Sequence, residues 1–283
     1  MAARHQVAEK DVNKKQKSKI FDKYGSWAVV TGASDGIGRE IAIRLGEAGF
    51  NLVLVARRQK LLEEVGQILA KKYNIMIEII AVDLSEMSGI QAVVKRTQDI
   101  DVGLLVASAG FGASGYLVDT KIEEQLIMVD VNCRAVVALS YHFSRRFVER
   151  KRGGIILMSS LFAFQGVPKA AGYAATKAFV QTFAEGLRLE VLPFGVDVVA
   201  SAPGPIHSGF AKRADMQMGM GQMPKDIAQE MLNALGYYTT VRPGWLSKFL
   251  EASLFPLPRW ARSRILGIVM KGMTRHHERR KSY

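Results

Sequence analysis

Six short apolar runs limit what this chain can become. They are WAVVT (27–31), NLVLVA (51–56), MIEIIAV (76–82), VGLLVA (102–107), GIILMS (154–159) and VDVVAS (196–201). Each is about one strand long and apolar almost throughout, the pattern of a strand covered on both faces. Between them lie longer segments with helical spacing, near residues 37–49, 58–73, 85–98, 121–150 and 173–193. Strands alternating with helices build right-handed crossover units and a parallel sheet. No internal repeat and no Pro/Gly/Ser-rich linker divides the middle of the chain. With 283 residues, 48% of them hydrophobic, one large core can be buried. The expected architecture is α/β: a single doubly wound parallel sheet over residues 24–240. A basic extension precedes it over 1–23, and an apolar, basic extension follows over 241–283.

Charge narrows the partners. The formal net charge is +13, of which residues 1–23 hold +4, residues 241–283 hold +8 and residues 24–240 only +1. A nucleic-acid enzyme usually spreads a basic face over its folded body, so no nucleic-acid partner is expected. Basic ends suit solubility, an anionic membrane surface or an acidic partner. The single cysteine, Cys133, excludes an internal disulfide framework and fits a reducing, intracellular setting. The first twenty residues are polar and lysine-rich, without the apolar core of a signal peptide. No run of about 18 apolar residues is present, so no segment is expected to span a bilayer. The expected location is the cytoplasm, with membrane association left open.

In doubly wound sheets ligands bind beyond the carboxyl ends of the strands. The first run ends in TGASDGIG (31–38) and continues into a helix. Gly32, Gly36 and Gly38 permit a tight turn and close approach of a diphosphate, and Ser34, Asp35 and Ile37 complete the loop. The second run ends in VARR. An NAD site places a carboxylate here for the ribose hydroxyls, whereas Ala56, Arg57 and Arg58 offer none. A guanidinium suits a phosphate, so NADP is the expected cofactor and Arg57 the first candidate, with Arg58 second. The third run ends in VDL: Asp83 can accept from an adenine amino group with Leu84 beside the ring, or it can cap the next helix in competition with Ser85. The fourth ends in ASAG, where Ala109 and Gly110 either let the strand end pass under a ribose or form only a turn.

In GYAATKA (172–178), Tyr173 and Lys177 stand one helical turn apart. Reduction of a ketone leaves negative charge on oxygen, which needs a proton donor and a stabiliser. A free phenol, with pKa about 10, is poor for this near neutrality, and a lysine ammonium nearby favours the phenolate.

TGASDGIG, VDL, ASAG, VNC, the serines of ILMSS, YAATK and APGPI occur in the order found in the short-chain dehydrogenase/reductase family, which residues 25–240 resemble. The resemblance implies a Rossmann-like nucleotide fold, usually of seven strands, and a catalytic set carried onto Asn132, Ser160, Tyr173 and Lys177. Ser159 competes with Ser160, and the thirteen-residue interval to Tyr173 matches the family at Ser160. Tyr173 would be the acid/base, Lys177 its electrostatic tuner and a ribose ligand, Ser160 a donor to the carbonyl oxygen. Asn132 would hold a water in a proton relay, although a helix-interior polar residue facing a neighbour reads equally well. Pro203, Gly204 and Ile206 resemble the nicotinamide-side loop, and Ser208 stands where a carboxamide contact is often made. His207 reads as solvated and Cys133 as structural. The family usually has Asn-Asn-Ala-Gly where this chain has Ala107-Ser108-Ala109-Gly110, which removes an asparagine contact but not the chemistry.

Met216, Met218, Met220 and Met223 fall in the region of the family's substrate flap and suggest an adaptable apolar pocket. The expected substrate is an apolar ketone or alcohol: fatty-acyl, steroid-like or retinoid-like. Residues 245–257 and 260–273 are apolar pieces interrupted by basic residues. They are expected to pack on the domain or a dimer partner, with Trp245 and Trp260 at a membrane interface as the alternative. Helices 121–150 and 173–193 resemble the family's dimer surface, implying a homodimer or homotetramer. His276–His277 is too isolated to suggest a metal, and none is expected. The alternatives to an enzyme are a catalytically idle NADP(H)-binding scaffold and a membrane-surface interaction protein.

Overall fold

The computed structural model of the chain describes residues 19–217 and 219–274. The far end of the amino extension, Met218 and His276–His277 lie outside them.

Seven parallel strands form one sheet in the order β3-β2-β1-β4-β5-β6-β7. They are β1 (Trp27–Thr31), β2 (Asn51–Ala56), β3 (Ile77–Ala81), β4 (Val102–Ala107), β5 (Gly153–Met158), β6 (Val196–Ser201) and β7 (Thr240–Val241). Strands β4, β5 and β6 are buried at every position, which explains why their sequences lack alternation. The six apolar runs account for β1 to β6 within a residue at each end. β7 has only two residues and no run to announce it.

Helices cover both faces. On one lie α1 (Gly36–Glu47), α2 (Gln59–Tyr73) and α8 (Pro224–Ala234), which bury Ile41, Leu45, Leu62 and Met231 against the sheet. On the other lie α3 (Met87–Arg96), α5 (Ala135–Glu149) and α6 (Ala171–Val191), burying Ile90, Leu139, Phe143 and Val180. Each such side chain contributes about 1.5–3 kcal/mol when fully buried.

The segment expected as one helix over 121–150 is instead α4 (Ile122–Val129), a π-helical turn (Asp130–Arg134) and α5. By length and composition alone, Ile122–Glu149 is apolar enough to cross a membrane, with a most apolar window of mean hydropathy 1.3. Here Leu139, Phe143 and Phe147 pack it onto the sheet as a core element.

After β6 come α7 (Gly209–Arg213), α8 and β7, then α9 (Trp245–Leu254) and α10 (Arg259–Met273). The last two fold back over the carboxyl edge of the sheet. Leu266 and Met270 of α10 pack with Val167, Ala170, Ala214 and Met216. Lys169 donates to Thr274 Oγ1 at 3.3 Å, tying the end of α10 to the loop before α6.

The sheet order reverses between β1 and β4, where chain connections leave in opposite directions and open a crevice. Thr31 joins the two strand ends there: its Oγ1 accepts from the Ala109 amide at 2.9 Å.

Candidate active site

The crevice is part of a cavity of about 820 Å³. Every residue expected to bind the cofactor or carry the reaction reaches its wall except Asn132.

Glycine geometry shapes the β1 end. Gly32 has φ +69°, and a Cβ on Gly38 would sit 2.5 Å from the Gly32 carbonyl oxygen. Only glycine lets α1 pack so closely on the strand end. Asp35 is the N-cap of α1, its Oδ1 accepting from the Gly36 amide at 2.7 Å. Its carboxylate therefore fills a helix-capping role, while Ser34, Ile37 and the glycines leave a backbone cradle facing the cavity. A helix N-terminus with closely approachable backbone fits a diphosphate.

The arginines after β2 carry carboxylate partners. Arg57 lies 3.5 Å from Asp83, and Arg58 lies 3.7 Å from Asp35 while donating to Ser34 Oγ at 3.1 Å. Asp83 accepts from both the Ser85 amide (2.9 Å) and the Ser85 hydroxyl (2.8 Å). It closes a turn rather than capping α3, whose N-cap is Glu86. Partial burial raises the Asp83 carboxyl, but the Ser85 hydrogen bonds and Arg57 outweigh it and hold the group below the usual carboxylate range.

Sequence reasoning missed a third guanidinium. Arg213, at the end of α7, reaches the same wall and lies 4.0 Å over the Phe111 ring. Burial lowers its pKa most, and the neighbouring Arg57 adds to this. The only hint was a pair of basic residues in the flap, with no spacing rule to place them.

At the other end stand the residues expected to carry the reaction. Tyr173, on the first turn of α6, is only 8% exposed, between Phe162 (ring centres 6.2 Å apart) and Phe210 (5.3 Å). It is hydrogen-bonded to the Ser160 side chain. Ser160 follows β5 and caps a short 3-10 turn, its Oγ accepting from the Phe162 amide at 3.2 Å. Its rival Ser159 donates instead to the Lys177 carbonyl, at 3.2 Å. Lys177 donates to the Met158 carbonyl at 2.7 Å, with Nζ 5.7 Å from the centre of the Tyr173 ring.

Asn132 sits in the π-helical turn, a distortion often found at functional sites. Its Nδ2 donates to the Phe111 carbonyl (2.9 Å) and Thr176 Oγ1 (3.0 Å), and its Oδ1 accepts from the Phe111 amide (3.1 Å). The amide donors are thus both spent, one on the loop after β4 and one on Thr176 of α6, leaving one Oδ1 lone pair. A Cβ on Gly110 would meet Asn132 Oδ1 at 2.9 Å and Lys177 Nζ at 3.4 Å, so these groups crowd that glycine.

The expectation that Lys177 favours the phenolate is not met by the protein's own groups. Burial pushes the Tyr173 phenol up to about 12, the Ser160 hydrogen bond opposing it in part. Burial likewise pulls the Lys177 ammonium down to about 8, with Cys133 acting weakly against it. Desolvation disfavours both charged forms and dominates both shifts. The Cys133 thiol is itself pushed up to about 11 by burial.

The loop after β6 closes the cavity. The Leu161 amide donates to the Pro203 carbonyl at 3.1 Å, and the Gly204 amide to Ser247 Oγ of α9 at 2.8 Å. Ile206 is buried on the wall and bridges to Gln222. Ser208 is the N-cap of α7, its Oγ accepting from the Phe210 amide at 3.3 Å, so its hydroxyl is engaged within its own helix. His207 does not reach the wall. Of the described flap methionines only Met216 does; Met220 and Met223 are exposed. The apolar lining comes instead from Phe162, Phe210, Leu250, Leu254, Leu266 and Met273.

A family model for short chain dehydrogenase matches residues 26–219. The chain belongs to the short-chain dehydrogenase family. It is an NAD(P)-dependent oxidoreductase of that family. It is 31% identical over 231 residues to a 7beta-hydroxysteroid dehydrogenase of Clostridium sardiniense, covering 80% of this chain and 88% of that one. It is 30% identical over 251 residues to a very-long-chain 3-oxoacyl-CoA reductase of Ajellomyces capsulatus, covering 87% and 71%. A solved 7beta-hydroxysteroid dehydrogenase structure has the same fold, with TM-score 0.81 at 24% identity, covering 88% of this chain and 99% of that one. The NADPH complex of a short-chain dehydrogenase from Sphingobium yanoikuyae matches with TM-score 0.69 at 27% identity, covering 87% and 94%.

Proposed function

We propose that the protein transfers a hydride between NADP(H) and the carbonyl or alcohol of an apolar substrate of steroid or fatty-acyl type. The observation that carries this reading is one cavity with two unlike ends: Arg57, Arg58 and Arg213 at one, and Tyr173 with Ser160 among aromatic and aliphatic side chains at the other.

Arginines after β2, with no free carboxylate there, favour a 2′-phosphate over bare ribose hydroxyls. Asp35 and Asp83 are each paired with one of these arginines. When bound, NADPH supplies the hydride. Tyr173 donates its phenolic proton to the substrate oxygen, and the Ser160 hydroxyl donates a hydrogen bond to the same oxygen. Phe162 and Phe210 exclude water from the phenol. Lys177 holds a proton close by that a pKa near 8 makes easy to release. Asn132 positions the β4 loop and hence Gly110 under the site. The NADPH complex of the Sphingobium protein and the apolar substrates named for the relatives support this reading.

We also read the exposed Ile122 and Leu126 of α4 and Phe179 and Leu189 of α6 as a homodimer face.

The test is a screen of NADPH and NADH oxidation against a steroid ketone, a long-chain 3-oxoacyl thioester and a sugar ketone. Turnover of an apolar ketone with NADPH is expected. Turnover of the sugar alone, or a preference for NADH, would overturn the corresponding half of the reading.

A further inference from the structure

The carboxyl-terminal helices have two apolar faces. The inner one lines the cavity through Leu250, Leu254, Leu266, Val269 and Met273. The outer one faces water. Trp245 (64% exposed) and Phe249 stand one turn apart on α9, Phe255 (72%) lies in the link, and Trp260 (64%) and Ile268 (75%) lie on α10. Side chains this large, clustered on two consecutive helices, form a patch that water alone does not account for.

Charge selects what covers it. Arg259–Met273 contains Arg259, Arg262, Arg264 and Lys271 and no Asp or Glu. Trp260, Arg264 and Ile268 follow one another at single-turn spacing, with the Arg264 guanidinium 5.4 Å over the Trp260 ring. Tryptophan beside arginine, flanking aliphatic side chains, suits the boundary between acyl chains and headgroups. A second copy fits poorly. A two-fold interface on α10 would face one purely basic helix with another, with no acidic residue on that helix to meet Arg264 or Lys271.

We propose that the outer face of α9 and α10 docks on an anionic membrane surface, so that an apolar substrate enters the cavity between these helices from the lipid. The docking stands on the helices alone; the entry route rests on the oxidoreductase reading above. Phe255 and the Pro256–Pro258 link would sit deepest, and the inner apolar row would continue the path from the acyl layer to Tyr173.

The test uses the full chain with vesicles of phosphatidylcholine, with and without phosphatidylglycerol. Sedimentation, Trp245 and Trp260 fluorescence, oligomeric state and NADPH oxidation of a water-soluble ketone are followed together. Binding is expected only to vesicles with the anionic lipid, falling as salt rises. Arg264→Glu should weaken it about thirtyfold, two charge steps of about 1 kcal/mol each being at stake. Trp260→Ser with Ile268→Ser should abolish it while oxidation of the soluble ketone persists. Absence of binding at low salt, or equal binding by the variants, would overturn docking. So would a change of oligomeric state in the double variant, which would assign the face to a second copy. Loss of oxidation with vesicle binding intact would overturn the oxidoreductase reading and leave docking standing.

Discussion

Lys177 costs the folded protein stability when charged, and that cost has a pH signature. The side chain is 5% exposed, and burial brings its pKa from 10.5 to about 8. Each unit is worth about 1.4 kcal/mol, so the buried ammonium costs about 3 kcal/mol below pH 8 relative to the unfolded chain. Between about pH 8 and 10.5 the folded state has released the proton while the unfolded state still holds it. The unfolded state binds more protons there, so this group's contribution raises stability as pH rises. Other groups titrate in the same range, Cys133 and Tyr173 in the opposite sense, so the comparison must be with Lys177→Met. The variant keeps an apolar chain of similar length and has no proton to lose. Urea unfolding of both proteins without cofactor at pH 7, 8, 9 and 10 isolates the effect. The stability of wild type relative to the variant should climb by about 2–3 kcal/mol across the series. The lost hydrogen bond to Met158 shifts the curves by a constant and leaves the slope alone. Parallel curves would refute the claim that desolvation governs this lysine.

The other expectations concern the two ends of the cavity. Arg58→Ala and Arg213→Ala should each weaken NADPH binding about ten- to a hundredfold, the worth of a charge-assisted hydrogen bond of about 1.5–3 kcal/mol, and leave NADH binding unchanged. Fluorescence titration with both cofactors checks this. Gly110→Ala places a methyl 2.9 Å from Asn132 Oδ1 and should lower kcat without unfolding the protein, measured by steady-state rates beside a thermal melt.

How much could be read beforehand depended on whether a feature repeats along the chain. The six apolar runs mark β1 to β6 because a strand buried on both faces has no choice of side chain. β7 is two residues long and leaves no such trace. The π-helical turn at Asn132 was invisible because one extra residue does not disturb the apolar spacing of the flanking helices. The glycine loop and the Tyr173–Lys177 pair were legible from local spacing. Arg213 was not, since its place beside Phe111 and Arg57 depends on how the loop after β6 folds back over the sheet. The methionines misled for the same reason: the flap turns Met220 and Met223 outward, and α9 and α10 supply the lining. The pKa values went against the spacing argument because a helical turn reports proximity and says nothing about the water that folding removes.

The most direct measurement is the rate of NADPH oxidation by Tyr173→Phe against the best ketone, taken beside its NADPH dissociation constant. Loss of a positioned proton donor should lower kcat by about 10²–10⁴ while NADPH affinity stays within error of wild type. A variant that turns over at the wild-type rate with its cavity intact would contradict the assignment of the proton to this phenol.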